Sequence, residues 1–435
     1  MSALPDIAPS PPRVSGAVPW LGAGLGLLRA PTAFFAAQRA RHGDTFVVDA
    51  LGYRLCCVFS PKGVAALYAA PEDHASFGLA TFELVFKHKI PLELAMGRRN
   101  RPHDLFKNPD VETYLETVGR AVALELDALG ESGRFEAFGE AKRLGYRLGL
   151  ASWAGFEAAS PRSLDRLIRA FDRLDTSDAF VKPLSTFWST ATGKRREWAA
   201  MREIESILGE ILGARRASGA AHDDFLARIE ASFADVPLPE RNVQVARDVM
   251  LIQMGAQSNL PAALAWTLVN LLLHPPLLAA VRAGDDALLE RCAYESIRLA
   301  QRSITLRRVL RPLTLETETG SFTLAPGVFL TTMLSVTNPS AARGLERFDP
   351  SHYTGRKLAD DVLAAPAREL VSTFGHGRHS CPAQRFSISA IRIAIRALVE
   401  RFELTPEFTS ATPRRRQIGG VARAEAPCPV AYRLR

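Results

Sequence analysis

The feature that most restricts how this chain can fold is the stretch FGHGRHSCPAQRF at residues 374–386. Gly375 and Gly377 allow backbone angles and close approaches denied to other residues. Pro382 suits a first helical turn, where its missing N–H would be unpaired anyway. Cys381 is therefore expected just before a helix N-terminus, where free N–H groups and the helix dipole favour a thiolate. A rigid thiolate with no Cys or His at metal-cluster spacing suits a single axial bond to haem iron. The other reading is a buried structural cysteine, and the loop alone leaves both open.

The rest of the chain narrows the class. It has 435 residues and is 47% hydrophobic, ample for a large core and for more than one domain on length alone. No uncharged apolar run reaches the roughly eighteen residues of a spanning helix. The best candidate, VPWLGAGLGLL (residues 18–28), is short and glycine-rich and lacks the basic flank and cleavage site of a signal peptide. A soluble, cytoplasmic protein is expected. The five cysteines have neither disulfide-framework nor zinc spacing, and Cys56 and Cys57 are adjacent. The net charge of +8 rests mostly on arginines. They are dispersed and carry no nucleic-acid motif, so no nucleic acid is expected as partner, and an acidic protein fits better.

Helical periodicity dominates. A proline-rich leader and a first helix occupy residues 1–40, and 41–435 read as one domain with a small β-rich lobe and an α-rich lobe. GDTFVVDALGYRLCCVFSP alternates as two strands around Gly52. Residues 111–129 and 135–153 have helical spacing. Residues 214–225 read as a polar, flexible connection. One long helix is expected over about 243–273, ended by His274-Pro275-Pro276, and another ends near Ala300. Short strands follow over 304–334, turning at Gly320 and Gly327. The fold class is mainly α with small β-sheets.

Over nearly its whole length the chain resembles the cytochrome P-450 superfamily. Phe374, Gly377 and Cys381 match the cysteine signature, and Glu295-Ser-Ile-Arg298 matches ExxR, whose Glu and Arg share a helical face. Alone, ExxR is weak and more often a solvated pair. Here it stands in the family's order, before short strands and the cysteine loop. The resemblance implies haem b (iron protoporphyrin IX) between a long distal helix and the helix after the loop, with Cys381 as iron ligand. It makes Glu295 and Arg298 a buried network behind the haem. The third member is usually an arginine in FxPxRF, and here Phe348-Asp349-Pro350-Ser351-His352-Tyr353 puts His352 in that place. Arg307, with Arg308 as a possible substitute, and His379 are implied at the haem propionates. His103 and Lys107 match further donor positions, although solvated surface explains them equally well. Phe374, Gly375 and Ala256 would line the haem. Ala383 stands where glycine is common.

The oxygen side departs from the pattern. The family's (A/G)-G-x-(D/E)-T segment falls on Gly255-Ala256-Gln257-Ser258-Asn259, so Ser258 replaces the acid and Asn259 the threonine. An amide donates hydrogen bonds but does not practically exchange protons near neutral pH. Gln257, Ser258 and Asn259 are still expected to shape the oxygen side, with a polar group towards iron; Asn259 could instead cap a bulge near Pro261. QMGAQSNLPAALAW is similar to the branch of bile-acid sterol hydroxylases and prostacyclin synthase.

Phe82 and Phe86, on a phenylalanine-rich stretch, and Ile304 and Thr305 are the expected substrate contacts, though core packing explains the two phenylalanines at least as well. The aromatic stretch 178–188 is expected near an access route. A large apolar pocket for a lipid, steroid or polyketide-like molecule follows. Arg378, Arg385, Arg392 and Arg396 form either a solvated stripe or a docking face for an acidic ferredoxin. With no flavin fingerprint, electrons would come from a separate ferredoxin and its reductase, and the protein is expected to be a monomer. Three activities remain open: a monooxygenase, an isomerase or dehydratase rearranging a lipid hydroperoxide without reductant, and a non-catalytic haem carrier or sensor.

Overall fold

The computed structural model describes residues 6–176, 188–363 and 367–435, apart from 17 and 19. In chain order come β1 (Ile7–Ala8), β2 (Arg13–Val14), α1 (Pro31–His42), β3 (Thr45–Ala50), β4 (Tyr53–Val58) and β5 (Ala75–Ser76). A roof segment follows, a short helix Phe77–Thr81 continued by a π-type turn over Phe82–Phe86. The helical body is α2 (Asn108–Leu129), strand β6 (Ser132–Glu136), α3 (Ala137–Trp153), α4 (Pro161–Leu174), α5 (Arg195–Ser218), α6 (Leu238–Ala256), α7 (Asn259–Leu273) and α8 (Asp286–Ala300). Then come β7 (Ile304–Val309), β8 (Leu313–Thr317), β9 (Gly320–Leu324), β10 (Phe329–Met333) and the small hairpin β11 (Tyr353–Thr354) and β12 (Lys357–Leu358). After the cysteine loop the chain ends with α9 (Gln384–Arg401), β13 (Phe402–Pro406) and β14 (Pro429–Leu434).

The alternating residues around Gly52 form the expected hairpin, with Val47 opposite Cys56. It is the middle of a six-stranded sheet in the order β2-β3-β4-β10-β7-β5. β4 runs parallel to β10, and β10 antiparallel to β7. The leader is built into the sheets: β1 pairs with β9 and β2 with β3. One core of Phe46, Val48, Cys57, Phe59 and Phe329 sits on this sheet, and a far larger core fills the helical body. Helix α7 is at its centre; almost every residue of NLPAALAWTLVNLLL is buried, as an all-round apolar helix requires.

Three expectations need correction. The long helix over 243–273 is two helices, broken at Gln257 and Ser258. Pro261 has no N–H for the Gln257 carbonyl, so the ladder cannot run straight through. The connection at 214–225 is helical to Ser218, where α5 stops at Gly219 with φ 64°. Arg215 there pairs with Glu157 and Asp224 at 2.7 Å each, which holds the polar stretch against the body. Phe135 opens no helix but lies in β6, opposite Val430. The stretch 178–188 lies outside the described residues except for its last. Among the described residues no single helix is long and apolar enough to cross a membrane.

Candidate functional site

The cysteine loop is closed by its own backbone. The Cys381 N–H donates to the Phe374 carbonyl at 2.6 Å. Gly375 has φ 78°, and a Cβ there would stand 2.7 Å from the His379 carbonyl oxygen, so no side chain fits. Helix α9 begins at Gln384, not at Pro382; Pro382 and Ala383 make a turn ahead of it. The expected cradle of helix-end N–H groups reduces to the N–H of Ala383. Burial pushes the Cys381 thiol pKa up, and that one hydrogen bond pulls only partly against it. A cation at the sulfur reverses this balance.

Behind the loop, Glu295 and Arg298 are fully buried and bidentate, Nε and Nη2 each donating at 2.7 Å. His352 Nδ1 lies 2.8 Å from Glu295 Oε1, so the histidine does take the third place. Arg298 Nη1 donates to the Asn338 carbonyl at 3.0 Å. The Asn338 amide donates to the carbonyls of Arg298 and Ser372, and its Oδ1 accepts the Ser372 N–H at 2.8 Å. Ser372 Oγ in turn accepts from Gly375 N–H. Asn338 thus ties the buried ion pair to the cysteine loop. Sequence reasoning missed it; its one signal is an Asn ahead of Pro339 in a strand-to-helix junction.

In front of the loop is a cavity of about 460 Å³, with Cys381, Phe374 and Gly375 on one wall and Ala256 and Asn259 on another. Ile304, Thr305 and His379 line it too. Gln257 does not. Its side chain is buried against α3, accepting from Tyr146 Oη at 3.2 Å. Ser258 is also absent from the lining. Asn259 lines the cavity but is held by it. Its Oδ1 accepts the Val421 N–H at 2.9 Å, and Nδ2 donates to the Gly255 carbonyl at 3.1 Å. One amide N–H remains for a ligand. Of the three expected oxygen-side groups, Asn259 alone lines the cavity, and Gln257 is held against α3. Val421, from the C-terminal loop, was not found in the sequence.

At the cavity edge, Arg307 is buried and donates to the carbonyls of Ala75 and Tyr68 at 3.1 Å each and to Glu72 at 3.3 Å. It does not line the cavity, and its Nε and one Nη2 proton are not used by these contacts. Arg308 points elsewhere, to Glu83 of the roof at 2.9 Å. His379 Nε2 lies 3.2 Å from Glu72, and its ring is 4.7 Å from that of Phe77. His103 and Lys107 are exposed and outside the lining; His103 is close enough to His379 to help lower the latter's pKa, after burial and Arg307.

Phe82 and Phe86 do not line the cavity; Phe86 packs on the helical core, and the π-type turn takes both rings off the expected helical register. Phe77, Phe106 and Trp153 line it instead. The roof is latched by Lys194, whose Nζ donates to the carbonyls of Lys87 and Ile90 at 2.9 and 2.7 Å. The arginine stripe is largely neutralised within the chain. Arg385 meets Glu112, Arg392 meets Asp286 and Glu290, and Arg396 meets Asp286 and Glu400. Arg378 is exposed.

The donor set fits haem b. Cys381 is the one cysteine on the cavity, and among the described residues no three His, Cys, Asp or Glu could hold a bare metal ion. A lone thiolate suits an iron whose other ligands come with a porphyrin. The apolar walls and the Arg307–His379 edge suit its flat face and its carboxylates.

No family profile matches the chain. Curated relatives do. It is 22% identical to the mouse (Mus musculus) 24-hydroxycholesterol 7-alpha-hydroxylase, covering 98% of this chain and 93% of that one. It is 21% identical to the Bos taurus lanosterol 14-alpha demethylase over 92% of this chain and 83% of the relative. With abscisic acid 8'-hydroxylase 3 of Oryza sativa subsp. indica it shares 27% identity over 88% and 79%. Among solved structures, the retinoic acid-bound cyanobacterial CYP120A1 superposes with a TM-score of 0.74 at 16% identity, covering 100% of both chains. The chain thus aligns almost end to end with cytochrome P-450 enzymes and shares the fold of CYP120A1.

Proposed function

We propose that this chain hydroxylates an apolar lipid, steroid or polyketide-like molecule, with dioxygen and with electrons from a separate ferredoxin and its reductase. The observation that carries this reading is one cavity of about 460 Å³ with Cys381 on one wall and the break between α6 and α7 on the other. That volume is of the size that takes a cofactor or small molecule. Bound haem supplies the dioxygen-activating, one-electron chemistry that no side chain here offers. The chain's own residues do the rest. Cys381 would supply the sulfur that holds the haem iron, and the loop closure to Phe374 fixes its place. Arg307 and His379 offer donors to the propionates. Asn259 holds the C-terminal loop against α7 and keeps one N–H for the oxygen side. Leu251, Ile252, Ile304 and Val421 exclude water and favour an apolar substrate. The relatives named for cholesterol, lanosterol and abscisic acid chemistry, and the retinoic acid in CYP120A1, support that class.

A second reading, rearrangement of a lipid hydroperoxide without reductant, is favoured by one observation: among the described residues no carboxyl group lines the cavity to relay protons. One experiment separates the two. A sterol, fatty-acid and terpenoid panel is screened by iron spin-state titration. Binders are then incubated with ferredoxin, its reductase and NADPH, and in parallel as hydroperoxides alone. Hydroxylated product only in the reduced arm is expected; product only from hydroperoxide would replace hydroxylation by isomerisation. Cys381→Ala should abolish the thiolate-type reduced carbon-monoxide spectrum, and its persistence would refute the ligand assignment.

A further inference from the structure

Glu72 is a carboxylate in the midst of donors. Its Oε1 accepts from Ser76 Oγ at 2.6 Å and Gly78 N–H at 3.2 Å. Its Oε2 accepts from Phe77 N–H at 3.2 Å, from Arg307 Nη1 at 3.3 Å and from His379 Nε2 at 3.2 Å. The last two are the groups read above as serving the haem propionates, and the present inference rests on that reading. His379 and Phe77 line the cavity, so this cluster stands at its rim. Arg307 is fixed in place by three acceptors, Tyr68, Ala75 and Glu72, and only Glu72 among them carries charge.

We propose that Glu72 is a positioning residue for the haem edge: it fixes Arg307 and His379 at the cavity rim, and its negative charge beside the propionates lowers the reduction potential of the iron and loosens haem retention. The two effects are opposite in origin. By accepting from Arg307 and His379, Glu72 orders both side chains, which favours binding. Its charge shares the Arg307 cation with two further carboxylates, which opposes binding and disfavours adding an electron. A neutral isostere keeps most of the ordering and removes the charge. Truncation removes both.

The test uses the haem-loaded protein and two readouts that need no turnover, spectroelectrochemical midpoint potential and the rate of haem transfer to a scavenging apo-globin. Glu72→Gln should raise the potential, making the reduced-to-oxidised ratio about threefold larger at a fixed poise, which is about 28 mV at ~59 mV per tenfold. It should also slow haem loss about threefold. Glu72→Ala should raise the potential as well but speed haem loss, because Arg307 and His379 are released. Arg307→Gln is the control for the underlying reading. If it leaves haem loss unchanged, the propionate assignment falls. If it speeds haem loss while Glu72→Gln and Glu72→Ala both leave the potential unchanged, the role of Glu72 falls and the propionate assignment stands. Should Glu72→Gln melt at a lower temperature, the potential of Glu72→Ala decides alone.

Discussion

Glu295 and Arg298 have no exposed side-chain surface, so each is tolerable only because the other is there. Removing one leaves an uncompensated buried charge. Arg298→Met should cost about 3–5 kcal/mol in urea unfolding, with haem lost at lower denaturant because the link through Asn338 to the cysteine loop goes with it. A change below about 1 kcal/mol would mean that the pair behaves like a surface bridge. The partners were legible in unequal measure. The family resemblance, carried by the ExxR spacing and its order in the chain, implied the Glu and Arg pair, and through the Phe348–Tyr353 pattern it implied His352. Asn338 left only its place before Pro339, and nothing local tied Glu72 to the site, because the partners that matter, Ser372 for the one and Arg307 and His379 for the other, lie far away in the chain.

At the scale of elements, the break between α6 and α7 decides what the oxygen side presents. Gln257 turns into the core, and Asn259 becomes a clamp between α7 and the loop 419–421. Gly420, at φ 63°, is part of it: a Cβ there would stand 2.6 Å from Asn259 Oδ1. Asn259→Leu leaves the buried Val421 N–H without an acceptor, a cost of about 1–3 kcal/mol. Hydrogen exchange of peptides spanning 417–423 should accelerate accordingly, with haem content kept. Asn259→Asp retains the acceptor and should exchange nearly as the parent does. Equal exchange in both variants would remove the clamp, and loss of haem in step with product would make Asn259 a folding residue. The proline that causes the break was visible in the sequence. Its consequence for three side chains was not, since it depends on which way the backbone turns.

On the scale of the whole molecule, stability should carry a signature of Glu140 on α3. Burial first, then the nearby Glu125 carboxylate, push its pKa up to about 7, against Arg143 and Arg147. A carboxyl whose folded pKa is raised holds its proton better folded than unfolded. Its advantage is complete below the ordinary glutamate value of 4.5 and is lost as pH climbs through about 7. Glu140→Gln should therefore stabilise the protein at pH 8, by on the order of 1 kcal/mol. The gain should fade towards pH 4.5, as read by thermal melts across that range. A gain independent of pH would point to packing instead.

The sequence by itself determined the helix-rich class, the paired strands near both ends, the order of ion pair, strands and cysteine loop, and the glycine that lets the loop close. These are set by local backbone chemistry and short periodicities, which neighbours in the chain carry between them. Only the tertiary structure decided that the leader is woven into the sheets, that the arginine stripe is already paired, and that Val421 and Glu72 reach the site. The contacts of Val421 and of Glu72 with Arg307 join residues more than 150 positions apart, and a carboxylate or a loop shows no local trace of the partner that packing brings to it.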